Sequence, residues 1–154
     1  MKTFTQLVEA ARANVKELFP WDLSDRLKQE DILIVDIREP YEYDAMHIKD
    51  SLNVPRGILE TACEYDFEET VPELVEARDK EVVVVCRSGN RSIFAAEVMQ
   101  QMGFQKVFSL QTGLRGWNEF EQPLVDEDNI EVSIDDADDY FAAKVRPEQR
   151  HPTK

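Results

Sequence analysis

Val82-Val83-Val84-Val85-Cys86-Arg87-Ser88-Gly89-Asn90-Arg91-Ser92 leads directly into Ile93-Phe94-Ala95-Ala96-Glu97-Val98-Met99. Four β-branched residues in a row suit a strand buried on both faces. The polar run after them is long enough for one tight loop, and the apolar run that follows predicts a helix from about Ser92 to Met102. This strand–loop–helix order sets the Cys86 thiol among backbone N–H groups, at the positive end of a helix dipole. Arg87 and Arg91 add two guanidinium groups nearby. Each feature stabilises negative charge, so Cys86 reads as a nucleophile or as the centre of an anion cradle.

Working outward, Ile32-Leu33-Ile34-Val35 is a second compact β-branched run that ends at Asp36. Ser51 to Val54 and Lys106 to Ser109 are further short strand candidates. Between the strands lie helical patterns at Leu23 to Lys28, Glu39 to Ala45 (Pro40 suits a first turn) and Gly113 to Phe120. Helical pieces are expected between Ile58 and Arg78, where Pro72 breaks the pattern. Gly103 sits where a left-handed C-cap is wanted. Strands alternating with helices predict an α/β fold: a parallel sheet with helices on both faces. In such sheets the site lies at the carboxyl ends of the strands, which places Asp36 and Cys86 on the functional edge.

Two flanking segments differ in character. Residues 1–18 are expected to form an N-terminal helix, with Leu7, Val8, Ala11, Val15 and Leu18 at helical spacing and Pro20 as a stop. Residues 122–154 are an acidic C-terminal extension ending in a basic tail, expected to be partly disordered, with its last dozen residues mobile. Ile130, Val132, Ile134, Tyr140 and Phe141 are its candidates for docking. Residues 19–121 form the domain between.

The 154-residue chain is 42% apolar and carries a formal charge of −14. That balance argues against nucleic acid or an anionic membrane as a partner. Acid concentrates at Glu64 to Glu76 and Asp126 to Asp139, whereas the loop after Cys86 is basic. A small anion is therefore repelled by the surface at large and drawn to that loop. Two cysteines, Cys63 and Cys86, are too few for a disulfide framework, and Thr3 to Leu18 lacks a signal-peptide pattern. A cytoplasmic, reduced protein is expected. The two histidines and two scattered cysteines have no metal-ligand spacing, so neither metal nor cofactor is expected.

Four stretches together resemble the single-domain sulfurtransferases of the rhodanese family. They are Val35-Asp36-Ile37-Arg38-Glu39-Pro40-Tyr41-Glu42-Tyr43, His47-Ile48, Leu52-Asn53-Val54-Pro55-Arg56-Gly57, and Cys86-Arg87-Ser88-Gly89-Asn90-Arg91-Ser92. The resemblance spans roughly Phe19 to Phe120. It implies a five-stranded parallel sheet, an active-site loop opening on Cys86, and a persulfide intermediate. Two departures bear on backbone freedom. Met46-His47-Ile48-Lys49-Asp50-Ser51 stands where the family commonly has Gly-His-Ile-Pro-Gly-Ala, and Thr112 occupies a position that is often glycine.

The expected chemistry is attack by Cys86 on the outer sulfur of a donor such as thiosulfate, then removal of that sulfur by cyanide or a thiol. Backbone N–H groups from Arg87 to Ser92, including Ser88, Gly89 and Asn90, are expected to hold the terminal sulfur. Arg87 and Arg91 would orient the anionic donor. Two rival readings stand beside this one. A non-enzymatic persulfide carrier, passing sulfur to an acceptor protein, shares the first half-reaction. A cysteine phosphatase or arsenate reductase would need five residues between cysteine and arginine, and here four separate Cys86 from Arg91. The first reading also requires a reachable sulfur. Asp36 and Arg38 are expected to form structural ion pairs and hydrogen bonds that hold neighbouring loops, with His47 a candidate partner, and His47 is expected to be a satisfied structural histidine. Ser92 is expected as a helix N-cap, Trp21 and Trp117 as packing groups, and Cys63 as a half-buried thiol held protonated by acidic neighbours.

Overall fold

The computed structural model describes residues 1–153. Five strands form one parallel sheet: β1 (Lys16–Leu18), β2 (Ile32–Asp36), β3 (Leu52–Asn53), β4 (Glu81–Val85) and β5 (Lys106–Leu110), in the order β1-β5-β4-β2-β3. Among the described residues eight α-helices accompany it: α1 (Phe4–Arg12), α2 (Pro20–Leu27), α3 (Pro40–Ala45), α4 (Leu59–Ala62), α5 (Pro72–Val75), α6 (Arg91–Gln101), α7 (Gly113–Glu119) and α8 (Ile134–Phe141). The valine run explains why β4 is central. Val82 and Val84 join one core with Ala95, Ala96 and Met99 of α6. Val83 and Val85 turn to the other, with Leu23 of α2, Leu114 and Trp117 of α7, and Phe141 of α8. A strand buried on both faces needs apolar residues at every position, not at alternate ones.

The N-terminal segment differs from expectation. Residues 1–18 are not one helix: α1 ends at Arg12, and Lys16–Leu18 form the fifth strand, in register with Phe108 to Leu110 of β5. This edge strand carries Lys16 and Glu17 and is three residues long, so it has no apolar alternation to reveal it; short charged edges are how sheets avoid unwanted pairing. The acidic extension is also built into the fold as far as Phe141. Leu124, Val125, Ala137 and Phe141 are buried. His47 and Val125 exchange backbone hydrogen bonds, and Asn118 Nδ2 donates to Asp138 Oδ1 at 2.6 Å, tying α8 to α7. Of the expected docking residues, Phe141 is buried, whereas Ile130 and Ile134 face solvent. Among the described residues no helix is long and apolar enough to cross a membrane.

Candidate active site

Register puts Asp36 beside Val85, and the Ile37 N–H donates to the Val85 carbonyl at 3.0 Å, so Asp36 and Cys86 emerge side by side at the carboxyl edge. The loop after Cys86 folds back over its own sulfur because α7 takes up its carbonyls. Leu114 N–H donates to Cys86 O at 2.9 Å and Arg115 N–H to Arg87 O at 3.0 Å. That approach requires glycine at 113, where φ is +62° and a Cβ would lie 2.6 Å from the Cys86 carbonyl. Gly89, at φ +86°, makes the turn that aims amides inward.

The sulfur is well partnered. Gly89 N–H and Ser92 N–H donate to Cys86 Sγ at 3.2 and 3.3 Å, and the thiol lies 3.3 Å from Ser92 Oγ, which is paired with Ser109 Oγ at 2.7 Å. Ser92 is thus a partner of the thiol and not the helix cap. Asn90 holds the N-cap position of α6 without a side-chain bond. The expected openness of the thiol is corrected: Cys86 is 0% exposed. The amides and hydroxyl that surround its sulfur are what cover it. Cys86 still contributes to a cavity of about 150 Å³, walled by Phe4, Arg87, Ser88, Asn90 and Arg91.

Neither arginine points freely into that cavity. Arg91 makes a two-pronged pair with Glu42, Nη1–Oε1 and Nη2–Oε2 both 3.0 Å. Burial alone would raise the Glu42 carboxyl, but the Arg91 guanidinium outweighs it and holds the carboxyl below its usual range. The same contact raises Arg91 further. Arg87 Nη2 donates to the carbonyls of Phe141 and Ala142 at 2.8 and 3.2 Å, so the extension grips the loop. Both guanidinium groups carry charge next to the cysteine, with Nη2 of Arg87 and Nη1 and Nη2 of Arg91 bonded to protein partners.

Asp36 and Arg38 form the expected pair, and both side chains are wholly buried. Arg38 Nε and Nη2 reach Asp36 at 2.8–3.2 Å, and Nη2 also donates to Met46 O at 2.7 Å. The pair therefore pins the loops at both ends of α3, the helix that carries Glu42. His47 is not part of it; Nδ1 meets Tyr43 O at 2.7 Å, and its ring stacks on Tyr43. Cys63 is fully buried, not half-buried, and burial, more than its acidic neighbours, pushes its thiol up to about 11. Trp117 packs inside with Nε1 donating to Pro123 O, whereas Trp21 lies half-exposed against Phe19.

The two departures from glycine are visible in the backbone. Asp50 takes φ +66° and Thr112 φ +68°. Aspartate enters this region readily; a β-branched threonine does so under strain. Ser109, Phe4 and the Ala142 carbonyl join the site without having been singled out in the sequence, where Glu42 stood only within a motif and Phe141 only as a docking residue. Among the described residues no three His, Cys, Asp or Glu side chains are grouped as metal ligands.

Comparison with known proteins agrees with this geometry. A sulfurtransferase of Allochromatium vinosum is 34% identical over 72% of this chain and 95% of its own length. An uncharacterised Synechocystis protein is 28% identical over 83% of this chain, which spans 65% of that protein. Among solved structures, a Rhodopseudomonas palustris protein of unknown function, described as a possible tyrosine phosphatase, is 29% identical with a TM-score of 0.71, over 80% of this chain and 94% of the other. A thiosulfate sulfurtransferase of Pseudomonas aeruginosa is 25% identical with a TM-score of 0.64; 88% of this chain covers 25% of that one. The model of the rhodanese-like domain matches residues 20–120, the stretch that contains β2 to β5 and the whole cysteine loop. With that sheet order and that loop, the chain belongs to the rhodanese-like domain family.

Proposed function

We propose that this chain is a sulfurtransferase in which Cys86 carries a sulfane sulfur as a persulfide. The observation that carries this reading is the pair of amides, Gly89 and Ser92, converging on Cys86 Sγ in a loop with four residues between cysteine and arginine. The Cys86 thiolate attacks the outer sulfur of a donor such as thiosulfate. An S–S bond forms, the S–S bond of the donor breaks, and sulfite leaves with the electron pair. Cyanide or a thiol, small or on an acceptor protein, then takes the outer sulfur and returns the thiolate, giving ping-pong kinetics. The loop amides stabilise the anionic persulfide, and Arg87 and Arg91 supply positive potential for the donor. Arg87, Ser88, Asn90 and Arg91 line the cavity where the added sulfur would sit. Two unpaired cysteines suit a reducing compartment, and we place the protein in the cytoplasm on that ground.

The likeness to a possible tyrosine phosphatase raises the rival chemistry. Two features weigh against it: the loop is one residue short of the phosphatase spacing, and Arg91 is committed to Glu42 where a phosphatase arginine must face the phosphoryl group. Intact-mass spectrometry decides between them. Thiosulfate should add one sulfur, cyanide should remove it, and Cys86→Ser should never acquire it. Cys86-dependent cleavage of an aryl phosphate without a sulfur adduct would overturn the proposal. An adduct that passes only to a protein acceptor would favour the carrier reading.

A further inference from the structure

Phe4 lies outside residues 20–120, yet it is the apolar member of the cavity at Cys86. Its ring reaches the site because α1 packs on α6, where it meets Phe94 at 6.3 Å between centroids, tilted by 52°. The other walls are polar or cationic: Arg87, Ser88, Asn90 and Arg91. Phe4 remains 55% exposed, so its ring stands at the rim and not in the core. A cavity of about 150 Å³ holds a small anionic sulfur head with room beside it, and an apolar substituent on that head would meet the Phe4 ring at the rim. An aromatic ring waiting there contributes nothing to a bare inorganic anion.

We propose that Phe4 is a specificity-determining residue, and that the donors favoured by this chain are organic: an anionic sulfur head attached to an apolar group that packs against the Phe4 ring. The inference rests on the sulfur-transfer reading and names its substrate class. With a thiosulfonate donor, R–SO₂–S⁻, the Cys86 thiolate attacks the terminal sulfur. The new S–S bond forms as the S–SO₂R bond breaks, and the sulfinate R–SO₂⁻ leaves with the electron pair. Charge is conserved, and no other reactant is needed.

The test measures the rate at which Cys86 gains one sulfur mass from benzenethiosulfonate, methanethiosulfonate and thiosulfate. One ring–ring contact corresponds to a preference of about three- to tenfold for the aryl donor over the methyl donor. Phe4→Ala should abolish that preference, bringing the aryl and methyl rates to the same value; Phe4→Tyr should keep it. Because Phe4 is largely exposed, the alanine variant should fold, which its melting temperature checks. An aryl-to-methyl ratio equal in wild type and Phe4→Ala overturns the role of Phe4. Failure of every donor to load Cys86 overturns the sulfur-transfer reading itself, and this inference with it.

Discussion

Replacing Asp36 by asparagine probes the ion pair beneath the site. The substitution keeps the side-chain shape and one acceptor but removes the charge facing Arg38. What remains is a guanidinium that is 0% exposed, already has Nη1 without a partner, and retains Met46 O as its one backbone acceptor. Breaking a buried pair from one side costs about 3–5 kcal/mol, because the surviving charge is left uncompensated. For a domain of this size that lowers Tm by about 6–20 °C. Replacing both partners with apolar residues, Asp36→Leu with Arg38→Met, removes the charge along with its counter-charge, and should recover most of the loss. Urea unfolding of wild type, Asp36→Leu, Arg38→Met and the double variant closes the cycle, with an unchanged m-value as the check on two-state behaviour. Below its transition the double variant should still load sulfur on Cys86, since Arg38 has no exposed atom to offer a donor. A single variant that costs under about 1 kcal/mol would refute the buried-charge argument. A stable double variant unable to load sulfur would show that Arg38 acts on the donor after all.

Glu42→Gln removes the charge that anchors Arg91 and should cost about 1–2 kcal/mol at neutral pH, discounted because the Arg91 side chain is 38% exposed. The Glu42 carboxyl is held low in the folded state, so its contribution is complete above the unfolded carboxylate range near pH 4.3 and fades as pH falls through the lower folded value. Urea midpoints of wild type and variant should therefore converge in acid; a gap that widens below pH 4 would contradict this. Thr112→Gly relieves a threonine at φ +68°, a strain of about 1–3 kcal/mol, against about 1 kcal/mol of added chain entropy. The variant should melt about 2–4 °C higher, and a lower Tm would mean that the threonine side chain contributes more than its backbone costs.

Legibility in the sequence followed burial and continuity. Val82 to Val85 and Ile32 to Val35 declare their strands because central parallel strands demand unbroken apolar runs. Lys16-Glu17-Leu18 declares nothing, since an edge strand pairs through its backbone with a register that only β5 supplies. The same division holds in the site. Cys86, Arg87 and Ser88 to Ser92 are contiguous, so a loop motif finds them, as it finds Asp36 and Arg38 at a strand end. Glu42 stands 49 residues from Arg91 in the chain, and Ser109 17 from Ser92; each pair meets through crossovers that no local pattern encodes.

The burial of Cys86 follows from the contacts that make it suited to sulfur. Amides can stabilise an anionic sulfur only from hydrogen-bonding distance, and a loop tight enough to bring Gly89 and Ser92 there also removes the sulfur from solvent. On the proposed reading a donor would enter through the cavity that Phe4, Arg87 and Arg91 border, and two of these three are held by residues away from the loop: Glu42 and the carbonyls of Phe141 and Ala142. Access in that reading would be set by α1, α3 and the end of α8, and the chemistry by the loop. Changes at Phe4, Glu42 or the extension should alter which donors reach Cys86 without altering what Cys86 does with them, whereas changes at Gly89 or Ser92 should impair sulfur loading from every donor alike.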